Sequence, residues 1–192
     1  MSFFDKFPAM ERADLRDLKK GIDSSFKEFS RSWGEGIEAF FDPLFYFLVN
    51  FEKLLLATPW PIIIAIVAAL SYLGSRSWKL SAGAAISFLV IGYLGMWNNT
   101  MSTVALISVA TFICIALGIP IGIAMSRSDR LQAMITPILD IMQTIPIFVY
   151  LLPVVMLLGI GKVPGLIAVC VYAMPPIVRL TNLGLRLVDK EI

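Results

Sequence analysis

Long apolar runs separated by short polar breaks dominate the sequence from residue 54 onward. A run of roughly 20 apolar residues is the length at which a helix crosses the hydrocarbon core of a bilayer. The pattern therefore predicts an all-α fold, a polytopic transmembrane helix bundle of about five spans with an N-terminal amphipathic helix. The expected spans are residues 54–73, 80–96, 100–125, 138–158 and 163–180.

The amphipathic helix is expected within the first 52 residues, which are more polar than the rest of the chain. Apolar side chains recur there at spacings of three and four, which places them on one helical face. They are Leu15, Leu18, Ile22, Phe26, Phe29 and Trp33. We expect this face to lie in the membrane interface, with packing against a neighbouring subunit as the alternative. Gly34 and Gly36 should weaken the helix before a second apolar stretch, residues 40–51.

Composition and charge agree with a membrane protein in three parts. Hydrophobic residues make up 58% of the chain, against roughly 45–50% in an average soluble domain. Charges concentrate in the tail and, after it, in the gaps between apolar runs, the distribution that a bilayer imposes. We divide the chain into an amphipathic tail (1–52), two N-terminal transmembrane helices (53–97) and a segment with the last three spans (98–192).

The cations between the spans predict the orientation of the chain in the plasma membrane. Seven Lys and Arg residues follow the odd-numbered spans, whereas Lys162 is the one cation in the alternate loops. Because cationic loops stay in the cytoplasm, the ends of the odd-numbered spans are expected there. This multi-pass arrangement places the N-terminus outside and the end at residue 192 in the cytoplasm.

Prolines and glycines are dense inside the expected spans, and they favour a transporter or channel over an inert membrane anchor. Prolines in a helix bundle persist where they kink a helix, shape a cavity or permit movement. The candidate hinge or kink residues are Pro120, Pro146, Pro153, Pro175 and Pro176. Gly118 and Gly122 have the spacing that allows two helices to pack closely.

Polar residues at membrane depth are few, and three of them follow one another at helical spacing near the start of the fourth expected span. Gln143 and Thr144 lie deeper in this span and are the stronger candidates for lining a polar pathway. Asp140 is a weaker candidate, because it lies close enough to the cytoplasmic end of the span to meet lipid headgroups.

Several kinds of chemistry are excluded by what the chain lacks. It has no histidine, so imidazole serves neither as a base nor as a metal ligand. Cys114 and Cys170 lie inside apolar runs and are expected to be small buried hydrophobic residues. The stretch 159–163 resembles the end of a P-loop but lacks its hydroxyl. We therefore predict no catalytic, cofactor-binding or metal-binding residue, and active transport would need an ATPase on another polypeptide.

Several motifs resemble the permease subunit of glycine betaine/proline ABC importers, which carry osmoprotectants. The resemblance is close from about residue 96 to residue 192 and loose before it. The motifs that carry it are Arg127-Ser-Asp-Arg130, the proline-bounded stretches 137–146 and 148–153, the stretch 159–165 and the stretch 175–184. The resemblance implies a type I importer with two permease copies, two cytoplasmic ATPases that bind ATP and magnesium, and an external substrate-binding protein or fused domain.

One departure from this family concerns the last residues. The resemblance implies a cytoplasmic Glu-Ala-Ala loop that docks into the ATPase, but the sequence stops at residues 189–192, where that loop would begin. We expect either a fragment or a system whose remaining part is a separate polypeptide. Two alternatives to the osmoprotectant importer stay open: the same fold carrying choline, carnitine or an amino acid, and a non-transporting membrane scaffold.

Overall fold

The computed structural model describes residues 12–187, and this part of the chain consists of seven α-helices without a β-strand. The helices are α1 (Arg12–Ala57), α2 (Trp60–Ser75), α3 (Trp78–Tyr93), α4 (Trp97–Arg127), α5 (Asp129–Thr144), α6 (Ile147–Leu158) and α7 (Lys162–Leu187). The expected all-helical membrane bundle is thereby confirmed. The expectation about the Glu-Ala-Ala loop falls on residues 189–192, which lie outside the described part.

The chain divides into two compact units, residues 1–41 and residues 42–192. In the first unit, α1 carries the apolar face that the sequence predicts, and most of this face is exposed. Its exposed members are Leu15, Leu18, Ile22 and Phe29. Phe26 is half-buried, and the side chain of Trp33 lies outside the described residues.

The helix α1 is longer and more continuous than the sequence suggests. It extends over 46 residues and runs through Gly34 and Gly36 without a break. A glycine costs about 1 kcal/mol in a helix relative to alanine, but it keeps both backbone hydrogen-bonding groups, so two glycines do not end a long helix. Pro43 also lies inside α1, which ends at Ala57.

The third and fifth expected spans are confirmed as single helices. Helix α4 has 31 residues and contains the third span, and α7 has 26 residues and contains the fifth span. Both are long and apolar enough to cross a membrane. Because a helix rises about 1.5 Å per residue, α4 is roughly 46 Å long and reaches beyond the hydrocarbon core.

The first and fourth expected spans are wrong as continuous helices, because each is broken at a proline. The segment Ala39–Ala57 of α1 meets α2 at an angle of 106°, with Thr58 and Pro59 at the break. Helices α5 and α6 meet at 87° around Ile145 and Pro146. Each bent pair is long and apolar enough to count as one span, which gives up to four spans in the described residues.

The physical cause of these breaks is the restriction that a proline places on its own backbone and on the preceding residue. Pro59 and Pro146 have ψ angles of 133° and 137°, and Ile145 has a ψ angle of 127°, all extended values. A proline also lacks the N–H that would continue the helical ladder, and its ring disfavours the helical conformation of the residue before it.

The second expected span, residues 80–96, coincides with an apolar helix, but this helix is shorter than those that count as candidate spans. Helix α3 has 16 residues and pairs with α2 as a helical hairpin. The hydroxyl of Ser81 on α3 donates a hydrogen bond of 2.7 Å to the carbonyl oxygen of Ala68 on α2. This bond satisfies a polar side chain that is 4% exposed.

Helices α4 and α7 form the core of the second unit and run parallel to each other. Leu106 packs near Gly165 at their beginnings, and Gly118 packs near Ile177 further along. Near their ends, the Arg186 guanidinium donates a hydrogen bond of 3.0 Å to the carbonyl oxygen of Met125. The polypeptide between α4 and α7 must therefore return to the side on which α4 began, so α5 and α6 together make one crossing.

Candidate functional site

The close approach of α4 and α7 depends on small residues at the positions that the sequence singles out. A Cβ atom added to Gly122 would lie 2.6 Å from the Cβ of Thr181 and 2.8 Å from the carbonyl oxygen of Val178. A Cβ atom added to Gly118 would lie 3.0 Å from a methyl group of Ile177. Both glycines are buried, so they lie in the contact between the two helices.

The two cysteines lie in the same contact and face each other's helix. The Cys114 thiol lies 3.6 Å from the carbonyl oxygen of Cys170, and the Cys170 thiol lies 3.9 Å from the carbonyl oxygen of Ala110. Cys114 is fully buried, Cys170 is half-buried, and both are free thiols. They therefore act in the fold as small apolar side chains with weak S–H donors.

Helix α5 packs against α7 in the opposite direction, and two ion pairs define the alignment. The Asp129 carboxylate at the start of α5 lies 2.7 Å from the Arg186 guanidinium in the last turn of α7. Further along, the Asp140 carboxylate pairs with the Arg179 guanidinium. Because Arg179 precedes Arg186 by seven residues, the second pair lies about 10 Å deeper along α7 than the first.

An apolar cluster between α4, α5 and α7 supports these ion pairs. Its buried members are Met125, Leu139 and Val178. Asp140 follows Leu139 directly, so its side chain points away from this cluster, and 53% of it is exposed. Asp140 therefore pairs with a residue on α7 and at the same time remains exposed on the outer face of α5.

The break between α5 and α6 lies near the middle of α4. Asp140 pairs with Arg179, so these two residues lie at the same level. Arg179 directly follows Ile177 and Val178, which contact Gly118 on α4. Thr144 lies one helical turn further toward the beginning of α4. Gln143 and Thr144 form the last turn of α5 and are exposed. The Thr144 hydroxyl donates a hydrogen bond of 3.4 Å to the carbonyl oxygen of Ile141. Polar side chains thus lie beside a break in the helix, on an exposed face of α5.

The five candidate hinge prolines have different positions in the structure. Pro146 precedes α6 at the break, whereas the other four lie inside helices. Those four are Pro120 in α4, Pro153 in α6, and Pro175 and Pro176 in α7. Of the adjacent pair in α7, Pro175 is buried and Pro176 is exposed. Pro146 is therefore the candidate that coincides with a change of helix direction.

Two polar atoms near this break are buried and have no hydrogen-bond partner among the described residues. They are the Tyr150 hydroxyl, in the first turn of α6, and the Nε of Arg179. A buried polar group without a partner costs free energy in a medium of low polarity. Tyr150 and Arg179 therefore each bury a polar atom at this cost between α5, α6 and α7.

One charged cluster was not predicted from the sequence. Glu52 on α1 is 7% exposed, and its carboxylate accepts a hydrogen bond of 2.6 Å from the Ser102 hydroxyl on α4. The same carboxylate pairs with the Lys162 ammonium group at the start of α7. The sequence does contain a signal that could have pointed to this cluster, because Glu52 is the one acidic residue between Pro43 and Ser128.

A separate open cleft of about 590 Å³ lies beside the break between α1 and α2. Its lining includes three aromatic residues at helix ends, Trp60, Tyr93 and Trp97, and none of the candidate residues named from the sequence. Tryptophan and tyrosine are typical of the interface between a membrane and water. The cleft is consistent with a position at the level of the lipid headgroups.

Comparison with known proteins gives a family match for the last two fifths of the chain, about 40% of its residues. Residues 114–192 match the family described as binding-protein-dependent transport system inner membrane component. The chain is 43% identical over 155 residues to the glycine betaine/proline betaine transport system permease protein ProW of Escherichia coli (strain K12). This alignment covers 78% of the chain and 42% of that protein.

Two further relatives come from Bacillus subtilis and Listeria monocytogenes. The chain is 36% identical over 193 residues to the glycine betaine transport system permease protein OpuAB of Bacillus subtilis (strain 168), covering 98% of the chain and 64% of the relative. It is 39% identical over 139 residues to the glycine betaine/carnitine transport permease protein GbuB of Listeria monocytogenes serotype 1/2a (strain 10403S), covering 71% and 49%. The chain spans less than two thirds of the length of each of these three relatives.

Proposed function

We propose that the chain is the permease part of an ATP-driven importer of glycine betaine or related compatible solutes, because residues 114–192 match the family of binding-protein-dependent transport system inner membrane components. The family match confirms the resemblance that the motifs predict. The relatives are permease subunits of transport systems and not enzymes. For this chain, the role in membrane transport and the role in osmoprotection are both our proposal, supported by these relatives.

The broken crossing made by α5 and α6 is the observation that carries this proposal. Two parallel helices, α4 and α7, form a closely packed pair, and the polypeptide between them returns through the membrane with a bend of 87°. Gln143 and Thr144 lie at this bend on an exposed face, and in the proposed crossing they are at membrane depth. Polar side chains at this depth are costly in lipid and are typical of solute pathways.

We propose that Gln143 and Thr144 line the solute path and that Asp140 lies at its cytoplasmic end. The ion pair with Arg179 reduces the cost of holding the Asp140 carboxylate within the membrane. The half-exposed side chains of this pair keep it accessible to water. The buried glycines of the α4–α7 contact, Gly118 and Gly122, then act as a fixed frame for the path.

The transport cycle requires partners, and each of them is part of the proposal. Two copies of the permease would enclose the path, a cytoplasmic ATPase would bind ATP and magnesium, and an extracytoplasmic binding protein or fused domain would deliver the solute. ATP binding would shift the population between inward-open and outward-open states because the ATPase contacts differ between them. In the orientation that the cation pattern predicts, the ends of α4 and α7 face the cytoplasm.

Substitution of the path residues tests this function. We expect Gln143→Leu and Thr144→Leu, made in the full-length permease assembled with its ATPase and binding protein, to reduce glycine betaine uptake. A loss of about tenfold per residue is expected, the effect of one lost polar contact of ~1.4 kcal/mol. Uptake of labelled glycine betaine by cells, normalised to the amount of permease in the membrane, is the measurement.

Gln132→Leu provides the matched control, because Gln132 lies on the same helix three turns before Gln143. Glycine betaine uptake by the Gln132→Leu variant should equal uptake by the wild-type protein. Normal uptake by both Gln143→Leu and Thr144→Leu would remove these residues from the path.

Reconstitution with the ATPase and the binding protein distinguishes glycine betaine import from the two alternatives, import of a different solute and a non-transporting scaffold. Stimulation of ATP hydrolysis by glycine betaine, but not by choline or carnitine, supports the osmoprotectant assignment. The glycine betaine/carnitine permease among the relatives makes carnitine the first competitor to measure. A complex that assembles without any solute-stimulated hydrolysis is the outcome expected of a non-transporting scaffold.

A further inference from the structure

The last part of α1 packs along the α4–α7 pair through apolar side chains that repeat at helical spacing. Leu48 belongs to a buried cluster, and Leu44, Phe51 and Leu55 pack against this cluster. The other members of the cluster are Ala105, Val109, Ala110 and Leu166. Because the apolar residues recur every three or four positions, a shift of α1 by one turn would bring similar side chains into the same places. Apolar packing alone therefore leaves the register of α1 weakly determined.

Glu52 is the one residue of this stretch that distinguishes the observed register from its neighbours. Both of its carboxylate oxygens have partners, Oε1 with the Ser102 hydroxyl on α4 and Oε2 with the Lys162 ammonium group on α7. A shift by one turn, about 5.4 Å along the helix, would separate the carboxylate from both partners. The carboxylate would then be buried without compensation, which is strongly unfavourable.

The position of Lys162 supports the same conclusion. Lys162 is the first residue of α7, and a cation is disfavoured there by the partial positive charge of a helix N-terminus. The negative charge of the Glu52 carboxylate offsets the positive charge of the ammonium group and the partial positive charge of this helix end. The Lys162 side chain remains 42% exposed, so its charge keeps contact with water while that of Glu52 is withdrawn from it.

We propose that Glu52 is a positioning residue that fixes the register of α1 against α4 and α7 through Ser102 and Lys162. Replacing a buried ion pair by apolar residues often preserves stability, and in coiled coils a single buried polar residue fixes the register of the helices. The role of Glu52 is thus to select one of several similar packings. This role concerns the packing of the three helices and holds whichever solute is carried.

Disulfide cross-linking in membranes tests the register directly, with Cys114 and Cys170 replaced by alanine. The pair Leu48→Cys with Ala105→Cys reports the native register. The pairs Leu44→Cys with Ala105→Cys and Phe51→Cys with Ala105→Cys report shifts of one turn in the two directions. The measured quantity is the yield of each cross-link in the whole chain after mild oxidation.

We expect Glu52→Leu to reduce the native cross-link about tenfold relative to the shifted ones, the ratio that corresponds to ~1.4 kcal/mol. Lys53→Leu is the matched control, since Lys53 is the exposed neighbour of Glu52, and it should keep the native pattern. The exchanged pair Glu52→Lys with Lys162→Glu retains both charges and should restore the native cross-link. If position 52 required only the shape of a glutamate side chain, the exchanged pair would not restore it.

The proposal is overturned if Glu52→Leu keeps the native pattern or if the exchanged pair loses it. Should Glu52→Leu fail to accumulate in the membrane, Lys162→Gln and Ser102→Ala each remove one partner and allow the same comparison. A shifted pattern in either of them supports the role of Glu52, and an unshifted pattern in both contradicts it. Because no transport is measured, this outcome is independent of whether the permease carries glycine betaine.

Discussion

At the scale of single residues, the contact between α4 and α7 is more sensitive to Gly122 than to Gly118. A methyl group on Gly122 would meet the backbone carbonyl oxygen of Val178 at 2.8 Å, which cannot move without shifting α7. A methyl group on Gly118 would meet the end of the Ile177 side chain at 3.0 Å, and this side chain can adjust. We therefore expect Gly122→Ala to destabilise the protein by about 1–3 kcal/mol and Gly118→Ala by less.

Thermal unfolding of the purified protein in detergent measures this difference. Gly83→Ala in the middle of α3 is the control, because a Cβ atom there meets nothing within 4 Å. In open space the exchange of glycine for alanine in a helix is stabilising by roughly 0.5–1 kcal/mol. An unfolding temperature of Gly122→Ala at or above that of Gly83→Ala would contradict a close helix contact at this glycine.

The partners of the charged residues, unlike the spacing of the glycines, could not be predicted from the sequence. Asp140 and Arg179 are 39 residues apart, and Glu52 and Lys162 are 110 residues apart. Pairing over such distances is decided by how the helices pack, which no local pattern encodes. The sequence did identify Asp140, Gln143 and Thr144 as unusual, since polar residues stand out within an apolar run.

At the scale of helices, hydropathy predicts where apolar segments lie but not which prolines interrupt them. Pro120, Pro153 and Pro175 lie inside α4, α6 and α7, whereas Pro146 separates α5 from α6. The difference lies in the preceding residue, because Ile145 adopts an extended conformation. Whether a bundle tolerates a proline inside a helix depends on neighbouring helices that satisfy the freed carbonyl groups, and this is tertiary information.

The break at Pro146 should depend on the proline ring. We expect Pro146→Ala to allow α5 and α6 to join, because alanine restores an N–H and removes the restriction on Ile145. Spin labels at Met134→Cys and Met156→Cys, both exposed positions, report the change by electron paramagnetic resonance. The backbone distance is roughly 23 Å across a right-angled bend and about 33 Å along a straight helix.

Pro153→Ala is the matched control for this measurement, since Pro153 lies inside α6 and its replacement should leave the distance near the shorter value. Pro146→Ala should add a population near the longer value. A distance distribution that is identical in Pro146→Ala and in the wild-type protein would show that helix packing, and not the proline, maintains the bend.

At the scale of the whole molecule, the parallel direction of α4 and α7 constrains the topology more strongly than the count of apolar runs. Residues near the two helix beginnings, Leu106 and Gly165, contact each other, and so do residues near the two ends, Met125 and Arg186. Both helices therefore start on one side of the membrane. The cation pattern predicts the same relation, because the third and fifth spans end on the same side.

Labelling of single cysteines with a membrane-impermeant thiol reagent tests this topology. Asn99→Cys and Gly161→Cys, exposed near the beginnings of α4 and α7, should react in intact cells. Ser128→Cys and Gly184→Cys, near the two helix ends, should react only after the membrane is permeabilised, because the cation pattern predicts that those ends lie in the cytoplasm. Reaction of Asn99→Cys and Gly161→Cys from opposite sides would contradict the parallel packing of α4 and α7, because the beginnings of two parallel helices in contact lie on the same side of the membrane.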